Sequence, residues 1–242
     1  MWQNNKNKEF MKKQLLVTCI TLLALSFASC NNSSDKQSSY SYNDYTQPLD
    51  STINDSIIDD KQRNIPIGYT RDAFHEYVPQ NAIEKQFLSD MHRFSEAINT
   101  RNSKKVVELY YPDYFVLLQK QAPEKSVKQI KEKVRSYYEA NFNEIIAAYT
   151  KDWNEAKRAG ICITNIVNRV TENGKILYLY EYHTTLSSDE VTIYKKEAEY
   201  SVSASLNNGK QWYSSADNIN DIFEILSISF SRAAIDKVLT KQ

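Results

Sequence analysis

From residue 80 onward the apolar positions follow two periods. Ile83, Phe87, Met91, Phe94 and Ile98 recur at spacings of four, four, three and four, which places them on one face of an amphipathic helix. Asn102-Ser103 offers an N-cap for a second, short helix with Val106, Val107 and Tyr110 on its apolar face, and Pro112 ends it. After Pro123 a third stripe runs through Val127, Ile130, Val134, Tyr138, Phe142, Ile145, Tyr149 and Trp153. Lys157 and Arg158 suit its last turn and Gly160 the residue after it, so this helix is expected to be about 35 residues long, with a bend.

The period then switches from helical to alternating. ICITNIVNRV, ILYLYEYHTTL, VTIYKKEAEYSVSASL and KQWYSSADN are rich in Tyr, Ile, Val and Thr, and Asn173-Gly174 and Asn208-Gly209 fall between them as hairpin signals. Residues 161–212 therefore predict an antiparallel meander. One or two short helices after Asn218 would pack back on it through Ile222, Ile225, Leu226, Ile235 and Leu239. A sheet with one apolar face must be covered, and amphipathic helices are at hand to cover it. The expected fold class is α+β: N-terminal helices packed on a curved antiparallel sheet, with short C-terminal helices.

Upstream of residue 80 the pattern is lost. Residues 31–69 are rich in Ser, Asn, Asp and Gln with few aliphatics, and such a tract cannot bury enough surface to order itself. Before it, Leu15 to Ala28 form a purely apolar or small run behind Lys12 and Lys13. Its fourteen residues span roughly 21 Å as a helix, short of a bilayer core of about 30 Å, and match a secretory signal with its start at Met11. The expected organisation is a signal at 1–29, a tether at 30–79 and one domain at 80–242.

The junction LSFASC, ending at Cys30, resembles the lipobox of bacterial lipoproteins, with Phe27 standing where that family usually has an aliphatic residue. The resemblance implies that Cys30 is lipid-modified and becomes the first residue of the mature chain, tying it to the cell envelope through a membrane anchor. Asn31 is not the aspartate that retains some related lipoproteins at the inner membrane, so the outer membrane is expected. Asp50-Ser51-Thr52 and Asp55-Ser56-Ile57 resemble the O-glycosylation sequon of some bacterial envelope proteins, which makes Ser51 and Ser56 candidate glycan acceptors.

Charge and cysteine content narrow the partners. The whole chain has 30 basic and 30 acidic residues; removing the four lysines and one glutamate of residues 1–29 leaves 26 against 29, a net −3. That gives no basic excess for phosphates, so nucleic acid is not expected as a partner. Of the three cysteines, Cys19 leaves with the signal and Cys30 is capped by lipid. Cys162 then has no disulfide partner and reads as a buried strand residue. With four glycines in the chain a glycine-rich phosphate loop is not expected, and no cofactor or metal set is visible.

Ala97 to Phe115 (AINTRNSKKVVELYYPDYF) and Asn207 to Ser215 (NNGKQWYSS) resemble two parts of the nuclear-transport-factor-two-like superfamily, across about Ala82 to Asn218. The first resembles its helix, turn and short helix closing in Tyr-Pro; the second, its closing hairpin. The long third helix and the C-terminal tail depart from the family. The resemblance implies a cone-shaped fold whose sheet wraps the helices around a pocket. Its members include isomerases, dehydratases and non-catalytic binding modules.

Within ILYLYEYHTTL, alternation puts Tyr178, Tyr180 and Tyr182 on one face and Leu177, Leu179, Glu181 and His183 on the other. Glu181 and His183 share a face two residues apart, and a carboxylate beside a histidine suits general base work. These five residues are the candidate pocket set. The structural alternative pairs Glu181 with Lys195 or Lys196 and leaves His183 near the rim. Twelve tyrosines fall in the domain, and some could line a binding cleft. Three functions remain open: an envelope lipoprotein with a non-catalytic binding domain for a small ligand or a protein, a lyase or isomerase acting by proton transfer, and a subunit or immunity-type partner of an envelope protein.

Overall fold

The computed structural model describes residues 65–214 and 219–240. The expected signal, Cys30, Ser51 and Ser56 lie outside the described residues. The fold is α+β, with helices against an antiparallel, open six-stranded sheet and two short helices at the C-terminus.

The first helix, α1 (Ala82–Asn99), starts at Asn81, whose side chain accepts from the backbone N–H of Glu84. Its Phe87, Met91 and Ile98 are buried, as the four-four-three-four stripe requires. The next, α2 (Ser103–Leu109), is capped by Asn102, which accepts from Lys105 N–H at 3.0 Å. Pro112 ends one helix and begins another: α3 (Pro112–Gln121) was not expected, and proline suits its first turn, where the missing N–H has no intrahelical partner to lose. The long helix, α4 (Val127–Thr150), opens on a capping box between Ser126 and Gln129.

The expected extent of α4 is corrected. It stops at Thr150, and residues 158–160, read as its end, belong to a strand. Trp153 explains the turn away. Its ring leaves the helical stripe and is buried with Tyr69, Leu186 and Ile193 in a separate cluster at the end of the sheet. The chain that follows is then in place to pair with residues 175–187.

The sheet is built around β3 (Lys175–Ser187). Strand β2 (Arg158–Glu172) pairs with it along its whole length. On the other side β5 (Glu199–Ser205) pairs with the first half of β3 and β4 (Thr192–Lys195) with its end. Beyond them lie β6 (Tyr213–Ser214) beside β5 and β1 (Tyr69–Thr70) beside β4, and β2 is the edge on the opposite side of β3. Asn173 and Gly174 both take positive φ, 50° and 75°, the two-residue turn that Asn-Gly favours between twisted strands.

Both faces of β3 are covered. Helix α1 lies over the tyrosine face, where Phe87 meets the rings of Tyr178, Tyr180 and Trp212 edge-on at 5.2–5.3 Å. On the other face, Leu177, Leu179, Val170 and Val202 join one buried cluster with Ile235 and Val238 of α6 (Arg232–Leu239). The preceding α5 (Ile219–Leu226) packs on α3. The Asn168 side-chain amide donates to the carbonyl of Lys237 at 2.6 Å, satisfying an open carbonyl at the end of α6.

The folded part reaches further back than residue 80. Tyr69 is buried and its strand pairs with β4. Phe74 stacks on His183, and Tyr77 N–H donates to Ile163 O at 2.7 Å. Residues 65–80 thus form a strap that crosses the sheet before entering α1. Its end is tied down at Glu84, which accepts from Tyr77 Oη at 2.7 Å and Gln80 N–H at 2.7 Å and pairs with Arg169 at 3.2 Å. Polar composition hid this strap because the contacts of Tyr69, Phe74 and Tyr77 N–H are made with residues far along the chain.

Candidate functional site

Between α1 and the tyrosine face the packing is not uniform. At one end Phe87, Tyr178 and Trp212 fill the space, the Tyr178 and Trp212 rings lying 4.3 Å apart. At the other a cavity of about 120 Å³ remains. Met91, Phe94 and Ile98 of α1 and Ile161 of β2 give it an apolar wall. Tyr180, Tyr182 and Thr184 of β3, with Ser201 of β5 and Ser214 of β6, form the sheet side, and Ser95 and Tyr149 enter from α1 and α4.

The strand register explains this lining. Tyr180 lies opposite Ser201, and Tyr178 opposite Ser203. Side chains opposite one another on paired strands share a face, so rings from β3 lean over small residues of β5. Where α1 adds Phe87 the layer closes, and where it adds Ser95 it stays open.

Seven of the thirteen lining residues carry a hydroxyl, and none carries a carboxylate, an imidazole, an amine or a guanidinium. One charged pair is bonded to the lining: Thr184 Oγ1 donates to Glu199 Oε2 at 2.5 Å, and Lys195 Nζ pairs with Glu199 at 2.7 Å. Tyr180 Oη donates to the Met91 sulfur at 3.8 Å, and Ser203 Oγ to the same sulfur at 3.0 Å. The site can therefore hold an uncharged molecule by shape and hydroxyl contacts.

The candidate set divides. Tyr180 and Tyr182 line the cavity. Tyr178 does not; it is buried under Phe87 and Trp212, and that burial raises its pKa above the usual tyrosine range. Glu181 and His183 do not either, because alternation turns them to the opposite face. Glu181 accepts from Thr164 Oγ1 and from Tyr200 Oη, both at 2.9 Å, rather than pairing with Lys195 or Lys196. Its carboxylate bonds the Tyr200 hydroxyl and so raises the Tyr200 pKa. His183 is buried rather than at a rim, with its ring 3.6 Å from that of Phe74 and Nδ1 2.7 Å from Lys195 O. The Glu181–His183 pair is thus not beside the cavity, which removes the geometry the proton-transfer reading needs.

Ser95, Thr184, Ser201 and Ser214 were missed as site residues. Alternation alone puts Thr184 with Tyr180 and Tyr182, and the small-residue alternation in SVSAS is what a face of large rings requires opposite it. Nothing local marks Ser95 or Ser214; they reach the site through packing. Cys162 is buried, as expected of a strand residue, and burial raises its thiol pKa.

Among the described residues no helix is long and apolar enough to cross a membrane, and no group of three or more His, Cys, Asp or Glu is placed to hold a metal ion. No protein-family model, curated protein or solved structure matches the chain.

Proposed function

We propose that this protein is a lipid-anchored cell-envelope protein whose domain is a non-catalytic binding module for a small uncharged molecule. The observation that carries the binding part is the lining of the cavity: hydroxyls and apolar groups without an acid–base pair. The anchor rests on the sequence, where LSFASC places Cys30 behind a signal-like apolar run. More than one acyl chain on Cys30 would hold the protein stably, and the polar tract after it would stand the domain off the outer membrane. In this reading helices and curved sheet form a cone of the nuclear-transport-factor-two-like kind, closed at its Trp212 end and open at its Tyr182 end.

The two parts are tested separately. Cells fed an alkyne-tagged fatty acid should label the wild-type chain and not Cys30→Ser; equal labelling of both overturns the anchor. Native mass spectrometry of the full chain, purified from its own envelope, should show an added small-molecule mass that Ser201→Leu abolishes. An adduct unchanged by that substitution, or no adduct and no binding from a library of neutral small molecules, overturns the cavity as the site.

A further inference from the structure

Burial divides the lining of the cavity into a floor and a rim. Of the lining residues only Met91, Ile98 and Tyr180 are buried. The Tyr180 hydroxyl is turned to the Met91 sulfur, so the floor presents a thioether, a branched alkyl group and an aromatic ring. The other hydroxyls belong to Ser95, Tyr149, Tyr182, Thr184, Ser201 and Ser214, all half-buried, and make the rim. Thr184 carries the rim on to ions, since it donates to Glu199, which pairs with Lys195. Polarity therefore rises outward, from an apolar floor through hydroxyls to a charged pair. A polar group pushed onto the floor would lose its water without replacement. A molecule that follows the gradient has an apolar end and a polar head.

Volume limits the apolar end. An apolar cavity of about 150 Å³ holds one benzene ring. In proportion, a cavity of about 120 Å³ takes about five carbons, one fewer than that ring. A six-membered ring is thus too large for the floor, and an open or branched chain fits it.

We infer that the ligand enters by a short aliphatic end, a branched alkyl or acyl group of at most about five carbons, seated on Met91, Ile98 and Tyr180 with its polar head at the hydroxyl rim. The inference rests on the small-ligand reading above and names the part of the molecule that is buried.

The test is titration calorimetry of the purified full chain with the N-acetyl amides of glycine, valine, leucine and phenylalanine. These share one polar head and differ in the end they offer: none, isopropyl, isobutyl and benzyl. The leucine amide should bind at least tenfold tighter than the glycine amide, as burial of that side chain implies. The phenylalanine amide should bind at least tenfold more weakly than the leucine amide. Ile98→Ala, which enlarges the floor, should reverse the order of these two; if that variant does not fold, the milder Ile98→Val should narrow their gap. Glu181→Gln, on the opposite face, should change neither. A glycine or phenylalanine amide that binds as tightly as the leucine amide, or an order that the Ile98 variants leave untouched, overturns the aliphatic end and leaves the small-ligand reading standing. So does dissolved xenon that enters the cavity when no amide binds. If neither an amide nor xenon enters, both fall.

Discussion

The two ends of the tyrosine face differ more than their sequences suggest. The same β3 strand contributes Tyr178 at one end and Tyr180 and Tyr182 at the other, and β5 sets Ser203 opposite Tyr178 and Ser201 opposite Tyr180. At the Tyr178 end, Phe87 and Trp212 close the layer, and Ser203 is fully buried. At the Tyr182 end, α1 presents Ser95, and a cavity remains. A strand pattern sets which side chains share a face. The residue that a distant helix brings over them decides whether the face becomes core or site.

Removing the plug should have the largest effect. Trp212 is fully buried and its backbone N–H donates to Asp90 at 2.9 Å. Trp212→Ala should cost about 3–5 kcal/mol in urea unfolding, the usual range for emptying a buried aromatic site. A cost below about 1 kcal/mol would mean that the two ends are equally open. Next comes Asp90→Ala, which strands that buried N–H and should cost about 1–3 kcal/mol by the same measurement.

Filling the two ends sharpens the contrast. Ser203→Val overpacks a site with no free space and should destabilise by about 1–3 kcal/mol, while Ser201→Val, with the cavity beside it, should cost less than about 1 kcal/mol. Equal losses in parallel thermal melts would contradict the open end.

The smallest expected effect is in acid. Glu84 sits in the first turn of α1, at the closed end. Burial opposes its charged form but is outweighed by hydrogen bonds from Tyr77, Gln80 N–H and Asn81 and by the Arg169 charge, so its pKa is lowered. A lowered folded-state pKa gives stability that is present above the unfolded value of about 4.3 and is lost as pH falls through the lower folded value. Acid unfolding of Glu84→Gln should be flatter in that window than that of wild type. Ligand binding at the open end, with no carboxylate or imidazole in the lining, should stay flat from pH 6 to pH 8 in calorimetry. A slope there would implicate a titrating group in the site.

Much of this architecture is legible along the chain. The stripe of α1, the cap at Asn102, the Asn173-Gly174 turn and the switch from helical to alternating period all depend on neighbours within a few residues, and all appear where the pattern puts them. Alternation in β3 also separates Glu181 and His183 from the three tyrosines. Local preference misled where a distant partner outweighed it. Lys157, Arg158 and Gly160 suit a helix end, but Trp153 is drawn into the cluster with Tyr69 and Leu186, and the chain leaves the helix at Thr150. Likewise a polar segment around Tyr69 and Phe74 is ordered by the sheet it crosses.

The amino-acid sequence by itself determined the periods, the turns and the faces, because covalent geometry repeats every 3.6 or two residues whatever surrounds it. Only the tertiary structure decided which part of the tyrosine face is filled and which is open. That outcome depends on the volumes that α1, β6 and the strap bring to the same place, and close packing is a property of the assembled layers, not of any one of them.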